Sequence, residues 1–178
     1  MEKQIINFTS GFLRINRVVL FLLIAFPLTL RFYASPSDDF AVANRLFASI
    51  GGICLLCWIF AIGHKANAKL ESQGINLNAF RFFNWSVILV VVSFLLTLFV
   101  STHANTTFNG MNINYSTPIF LPVILIFAFV FTIIVAAKTL VSAELNKDAR
   151  IGEYFTTMLL MILAAIGLWF IQPRVQKI

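Results

Sequence analysis

Long apolar segments separated by short polar ones alternate along the whole chain. The most apolar of them is residues 118–137, which carry no charge and only one polar side chain, Thr132. At 1.5 Å per residue, about twenty helical residues reach across a hydrocarbon core of ~30 Å. Comparable segments recur before and after this one. The pattern predicts an all-α fold, a polytopic transmembrane helical bundle of about five spans.

The apolar segments and the polar stretch before them divide the chain into two predicted parts. Residues 1–17 place apolar side chains at helical spacing with polar ones between them, which is typical of an amphipathic helix lying in the membrane interface. Residues 18–178 form the predicted transmembrane helical domain. Its spans are expected at about residues 18–34, 46–63, 82–102, 118–138 and 155–171.

Turn and breaker residues predict what connects the spans. Pro27 lies inside the first span and predicts a kink there. The second span is expected to continue as a polar helix as far as Gly74, because glycine favours the left-handed conformation at a helix end. Residues 104–115 carry Asn109-Gly110 between alternating side chains, which predicts a small β-hairpin with a type I′ turn.

The last apolar segment leaves two topologies open. It has seventeen uncharged residues, 155–171, close to the lower limit for a crossing. Five crossings with the N-terminus inside place nine Lys and Arg in the cytoplasm and four outside. If the segment re-enters or lies in the interface, Arg174 and Lys177 move inside and the counts become eleven and two. The positive-inside rule favours a cytoplasmic N-terminus in both cases, and five spans is the main prediction.

Composition supports a membrane protein and excludes nucleic acid as a partner. Hydrophobic residues make up 60% of the 178 residues and charged residues 11%, and the mean hydropathy is +0.90. The net charge is +6, but the thirteen Lys and Arg stand at the ends of apolar segments rather than on one basic face. In that position they meet lipid headgroups, so the lipid bilayer is the predicted partner.

The two cysteines, Cys54 and Cys57, stand three residues apart inside the second apolar segment. A CxxC pair on one helix face favours redox chemistry. In its length and in this cysteine pair, the chain resembles the four-span quinone-linked thiol oxidases of bacterial envelopes. Those oxidases use a second cysteine pair, and this chain has no third cysteine. Two small side chains packed in a helix are the favoured interpretation, and a thiol or quinone redox protein is an alternative.

Several activities lack the residues that they need. No ionisable side chain is expected deep inside a span, where proton-coupled transporters and pumps usually carry one. His64 and His103 are predicted at opposite membrane faces, so they cannot share a metal ion. No serine has a histidine or carboxylate partner at a suitable depth. We therefore expect no cofactor, no metal and no catalytic residue, and favour a protein that is not an enzyme.

Three groups of residues are candidates for function. Small residues that let helices approach closely are the predicted packing positions: Ala48, Gly51, Gly52, Ala164, Ala165 and Gly167. Basic and aromatic residues at the ends of spans are the predicted interfacial anchors: Arg17, Arg31, Arg81, Trp85, Trp169 and Arg174. Polar residues within spans would line the pore if the chain formed a channel: Asn84, Ser93, Thr97 and Thr132.

The last thirty or so residues resemble the ending of a group of small bacterial multi-pass membrane proteins for which no activity is known. The shared pattern is Gly-Glu-Tyr-Phe at residues 152–155 and G-x-W-F-x-Q-P-R at residues 167–174. The resemblance brings no activity with it. In physical terms, Trp169 and Arg174 anchor the segment in the interface, Pro173 ends the helix, and Gln172 is placed to bond a neighbouring helix end.

The function favoured by these patterns is a non-enzymatic subunit or accessory protein of an assembly in the bacterial inner (cytoplasmic) membrane. The absence of intramembrane charges and the small-residue surfaces support it. A homo-oligomeric channel or facilitator is the alternative. The expected partners are other membrane subunits or further copies of this chain.

Overall fold

Apolar segments fold as helices because a helix satisfies its backbone hydrogen bonds internally, without water. The computed structural model describes residues 11–33, 38–99, 104–108, 111–115 and 120–178. Their helices are α1 (Arg17–Tyr33), α2 (Asp38–Ser72), α3 (Phe83–Phe99), α4 (Phe120–Leu145), α5 (Ile151–Ile162) and α6 (Ala164–Lys177). A 3-10 helix, Asn78–Phe82, directly precedes α3. The predicted all-α helical bundle is confirmed.

Among the described residues, three helical regions are long and apolar enough to cross a membrane, namely Ser49–Ser72, Asn78–Leu96 and Pro122–Leu145. They overlap the predicted second, third and fourth spans, and their length and composition fit a membrane protein. Two apolar helical regions are shorter, Arg17–Pro27 in α1 and Ile151–Ile162 in α5. The first predicted span lies in the helix Arg17–Tyr33, which continues through Pro27.

The polar end of α2 follows the sequence prediction, whereas the predicted helix end at Pro173 is wrong, because α6 continues through Pro173 to Lys177. The second span continues as one helix to Ser72, and Gly74 then adopts a φ of 75°, which lies in the left-handed region. Residues 1–10 of the predicted interfacial helix lie outside the described residues. Of the remainder, residues 11–13 are helical, and the Leu13 side chain is only 2% exposed.

A two-stranded sheet lies between α3 and α4 in the sequence. Strands β1 (Ala104–Phe108) and β2 (Met111–Tyr115) pair antiparallel, with Phe108 opposite Met111. This register leaves Asn109 and Gly110 as the connection, so the predicted β-hairpin is confirmed. The turn itself lies outside the described residues, and its predicted type I′ conformation stays a prediction.

The fifth predicted span requires a correction, because residues 155–171 are not one helix. The helix is interrupted at Leu163, whose φ of −84° and ψ of 57° leave the helical region and divide the segment into α5 and α6. The Arg174 Nη1 atom lies 3.0 Å from Thr157 Oγ1, whereas 17 residues of straight helix would separate their backbones by ~25 Å. The two helices therefore form an acute V, which we call the C-terminal hairpin (Ile151–Lys177).

The chain divides into two compact units, of which the first combines Met1–Phe80 with Ile133–Ile178. In this unit α1 packs on α2, and α6 packs on both of them and on α5. Its core contains the fully buried side chains of Trp58, Ile62, Leu140 and Leu168. The second unit is Arg81–Thr132, which contains α3, the β-hairpin and the first half of α4.

Candidate functional site

The corner of the C-terminal hairpin depends on a residue without a side chain. Gly167 follows the corner at Leu163, and its backbone amide donates to the Leu163 carbonyl at 2.8 Å. A β-carbon built on Gly167 would lie 1.8 Å from the backbone oxygen of Leu160 in the facing helix. No side chain fits at that distance, so the close approach of α5 and α6 requires glycine at this position.

The buried amide of Gln172 joins three parts of the first unit. Its Oε1 accepts a hydrogen bond from the Trp58 indole Nε1–H at 2.8 Å, and its Nε2 donates to the Leu13 carbonyl at 2.6 Å. Gln172 and Trp58 are both fully buried. In apolar surroundings a lost partner leaves an unsatisfied polar group, so this pair of bonds fixes α6 against α2 and against the residues that precede α1.

Arg174 forms a bidentate ionic contact with Glu144. Its Nε donates to Glu144 Oε1 at 2.8 Å and its Nη2 to Glu144 Oε2, while Nη1 donates to Thr157. The guanidinium thus makes a bidentate pair with the end of α4 and bridges to α5. The sequence predicts an interfacial anchor at Arg174, but the charge of this side chain is committed to Glu144.

Further polar contacts gather around the last turn of α6. Lys65 Nζ donates to the Val175 carbonyl at 2.7 Å, and Gln176 Nε2 donates to the Leu13 carbonyl at 3.2 Å. A cation at a helix C-terminus is favourable because the last carbonyls carry partial negative charge. The end of the hairpin therefore lies at the same end of the unit as Leu13 and Lys65.

The start of the hairpin is also fixed by charge. Glu153 accepts the backbone N–H of Arg150 at 2.7 Å and pairs with Lys147 Nζ at 2.6 Å. The hydrogen bond from Lys147, and then that from the Arg150 amide, hold the pKa of Glu153 below its usual value. Nearby, Lys138 pairs with Asp148 at 2.8 Å. The ionised carboxylate of Glu153 satisfies an amide at the N-terminus of α5.

The predicted packing residues fall on different sides of their helices. In the hairpin, Gly167 and Ala164 are buried and Ala165 is exposed. In α2, Gly51 is buried and Gly52 is half-buried, and a β-carbon on Gly52 would meet nothing within 4 Å. The side chain of Ala48 lies outside the described residues.

The predicted anchors also divide. Arg17, Arg81 and Trp85 are exposed, with 70% of Trp85 accessible. The Trp169 ring is 45% exposed and lies 6.2 Å from the Phe21 ring between centroids. The side chain of Arg31 lies outside the described residues.

The predicted pore residues do not form one polar surface. Thr132 is fully buried, and its Oγ1, which carries a single donor hydrogen, lies 2.9 Å from Ser86 Oγ and 2.8 Å from the Ala128 carbonyl oxygen. Ser93 is also buried, whereas Asn84, nine residues earlier and on the opposite face of α3, is exposed. The side chain of Thr97 lies outside the described residues.

Cys54 and Cys57 are free thiols, each half-buried on α2. His64 lies between aromatic rings, 4.3 Å from that of Phe60 and 5.3 Å from that of Phe80. Among the residues that the structure describes, no group of three His, Cys, Asp or Glu side chains could hold a metal ion. His103 lies outside those residues.

Comparison with known proteins assigns no function to these residues. The chain matches no known protein family, curated protein or solved structure. The physical arrangement of its own residues therefore carries the functional argument.

The contacts that sequence reasoning misses are long-range ones. Glu144, Thr157 and Trp58 are not among the candidate residues, because each looks ordinary in its own helix. A signal exists for Gln172 and Arg174, since two hydrogen-bonding side chains directly follow a short apolar segment. The sequence also indicates that Gln172 bonds a helix end, but it does not reveal the Trp58 donor 114 positions away.

Proposed function

We propose that this chain is a non-enzymatic subunit or accessory protein of an assembly in the bacterial inner membrane. The observation that carries the proposal is the surface of α3. Only 22% of the most apolar window in Asn78–Leu96 is buried, against 44% in each of the other two spanning regions. A partner helix would cover the exposed face of α3.

The buried residues of α3 form a narrow seam. In its described portion they are Phe83, Ser86, Val90 and Ser93, which follow a spacing of three and four residues. Such a seam contacts a single neighbouring helix. The opposite face carries exposed apolar side chains, among them Ile88, Val92 and Leu95. Lipid tails and the side chains of a partner helix are about equally apolar, so closer packing would favour the partner helix over lipid on this face.

A role without catalysis agrees with the way the polar groups are used. Every buried side-chain nitrogen or oxygen in the described part of the chain has a hydrogen-bond partner. Gln172 and Arg174 hold helices together, and Ser86 and Thr132 bond each other. Their polar atoms serve packing, which is what a structural subunit requires.

The proposal includes a topology in which the C-terminal hairpin enters the membrane and returns to the same side. The hairpin corner lines a small apolar cavity together with Ile24, Ala25 and Leu55. Leu55 stands ten residues, or ~15 Å, along α2 from Lys65, which is about half of a ~30 Å hydrocarbon core. Both ends of the chain then face the cytoplasm, with eleven Lys and Arg inside and two outside.

The resemblance of the C-terminal segment to small bacterial multi-pass proteins agrees with this topology. Gly167, Gln172 and Arg174 of the G-x-W-F-x-Q-P-R pattern are the residues that close and fix the hairpin. Proteins that form the same C-terminal hairpin would share this sequence pattern.

Photo-crosslinking from α3 tests the subunit proposal. A photoreactive amino acid at Ile88 or Val92, both exposed, would be activated in the native membrane, and the products would be analysed after gentle extraction by native mass spectrometry. We expect a covalent product with a different polypeptide that also co-purifies in a constant ratio. The same amino acid at Val90, which is 6% exposed, is the control and should crosslink only within the chain.

Two outcomes of that experiment count against the proposal. Products with lipid alone, and a chain that purifies without another polypeptide, would show that α3 faces the bilayer. Products between copies of the chain in a closed oligomer would favour a channel, and flux measurements in proteoliposomes would follow.

A further inference from the structure

Some cations of the first unit are paired with carboxylates and others are not. In the described part of the chain the pairs are Lys138–Asp148, Lys147–Glu153 and Arg174–Glu144. Arg14 and Lys65 are among the cations of this part that have no carboxylate within 4.0 Å. These two are nevertheless brought together from distant positions in the sequence.

The hydrogen bonds of α6 bring the segments that carry the two cations to the same helix end. Lys65 Nζ donates to the Val175 carbonyl, and Gln176, the next residue, donates to the carbonyl of Leu13. Arg14 directly follows Leu13, so Arg14 and Lys65 belong to the same corner of the unit, at the last turn of α6. Like charges gathered at one corner of the unit repel each other. A bound anion between them would remove this repulsion and gain two attractive interactions.

The place of this pair in the fold indicates which anion it meets. Arg14 is exposed and stands three residues before α1, whose exposed side chains Val18, Val19 and Leu22 are apolar. Lys65 is half-buried at the point where α2 changes from apolar to polar sequence. In a lipid-binding arrangement, the cations bind the headgroup phosphate and an adjacent apolar helix face contacts the acyl chains.

We propose that Arg14 and Lys65 form a binding site for the phosphate headgroup of an anionic phospholipid. Arg14 supplies a planar fork of donors to the phosphate oxygens, and Lys65, oriented by the Val175 carbonyl, supplies a point charge. The apolar face at the start of α1 contacts the acyl chains. The lipid ties the residues before α1 to α2 and to the end of α6. This inference rests on the membrane location of the chain and not on the subunit proposal.

Lipid titration of the purified full-length chain tests the site. The protein in neutral detergent would be titrated with phosphatidylglycerol, with phosphatidylcholine of the same acyl chains, or with inorganic phosphate. Native mass spectrometry would count bound lipid, and thermal unfolding would report stabilisation. We expect phosphatidylglycerol to bind at least tenfold more tightly than phosphatidylcholine. Replacing each cation should weaken phosphatidylglycerol roughly fivefold, and Arg14→Gln with Lys65→Gln should abolish the preference.

Matched variants separate a site from general charge. Lys147→Gln removes the same charge from an exposed side chain and should keep the preference, as should Lys65→Arg. Arg14→Gln alone changes an exposed residue, so it remains informative if the double variant does not fold. Equal binding of the two lipids, or a double variant that behaves like Lys147→Gln, would overturn the proposal. If inorganic phosphate stabilises the protein as much as phosphatidylglycerol does, the site binds free phosphate and the proposal of a lipid headgroup is wrong.

Discussion

Replacing Gly167 with alanine should destabilise the protein far more than the same change at Gly52 or Gly152. The added β-carbon would lie 1.8 Å from the Leu160 oxygen and 2.6 Å from its carbonyl carbon. Both atoms belong to backbone, so no side-chain rotation relieves the clash and α5 must move away from α6. We expect Gly167→Ala to lower the free energy of unfolding by about 3 kcal/mol, at the upper end of overpacking effects.

Unfolding in mixed micelles of dodecyl maltoside and SDS, followed by circular dichroism, measures this difference. Gly152→Ala is the matched control, because Gly152 lies in α5 and a β-carbon there meets nothing within 4 Å. Alanine is the better helix former, so the control should be neutral or slightly stabilising. A stability of Gly167→Ala equal to that of the control would show that α5 and α6 do not approach closely at Leu160.

Replacing Gln172 with leucine should have the second largest effect. The change removes the acceptor of the Trp58 indole and the 2.6 Å donor to the Leu13 carbonyl, and both groups lie in the core of the unit. Gln176 still donates to that carbonyl at 3.2 Å, so the larger loss falls on Trp58. We expect a loss of about 2 kcal/mol in the free energy of unfolding, measured in the same mixed micelles.

Two comparisons assign this loss to the buried contacts. Gln176→Leu removes an exposed glutamine that donates to the same Leu13 carbonyl, and it should cost less than half as much. Adding Trp58→Phe to Gln172→Leu removes the orphaned indole N–H, so the two effects should be less than additive. Full additivity would mean that the two side chains act independently, contrary to the observed hydrogen bond.

Local pattern is enough to predict most of the helical architecture. The apolar segments around Ser49–Ser72, Asn78–Leu96 and Pro122–Leu145 are each long enough to identify a span without knowledge of any neighbour. Gly74 predicts its helix end because its conformation is a property of glycine itself. The β-hairpin follows from Asn109-Gly110 for the same reason, since turn chemistry acts over a few residues.

The C-terminal hairpin cannot be predicted in this way. Residues 155–171 carry no charge and are mostly apolar, and a straight helix and a bent one bury equally hydrophobic side chains. The bend depends on the approach of Gly167 to Leu160 and on contacts with distant partners, 159 positions away for Leu13 and 30 for Glu144. From sequence alone, the seventeen-residue length of the segment and the surplus of positive charge, eleven against two, favour the re-entrant alternative.

The candidate site shows the same division between local and distant information. Residue type alone identifies Gly167 as a packing position, but it does not identify Leu160 as the neighbour. Basic residues after an apolar segment usually lie in the interface, which is why the sequence predicts an anchor at Arg174. Its bidentate pair with Glu144 requires the fold to bring the ends of α4 and α6 together.

The side of the membrane on which the C-terminus lies tests the re-entrant topology most directly. In a Cys54→Ser, Cys57→Ser background, single cysteines would replace Ser72, Lys177 or Thr107, and a membrane-impermeant maleimide would be applied to intact and to permeabilised cells. We expect residues 72 and 177 to react only after permeabilisation, because Lys65, in the same helix as residue 72, and Leu13 both bond to the last turn of α6 near residue 177. We expect residue 107 to react in intact cells. Labelling of residue 177 in intact cells together with residue 107 would contradict the hairpin and restore a fifth crossing.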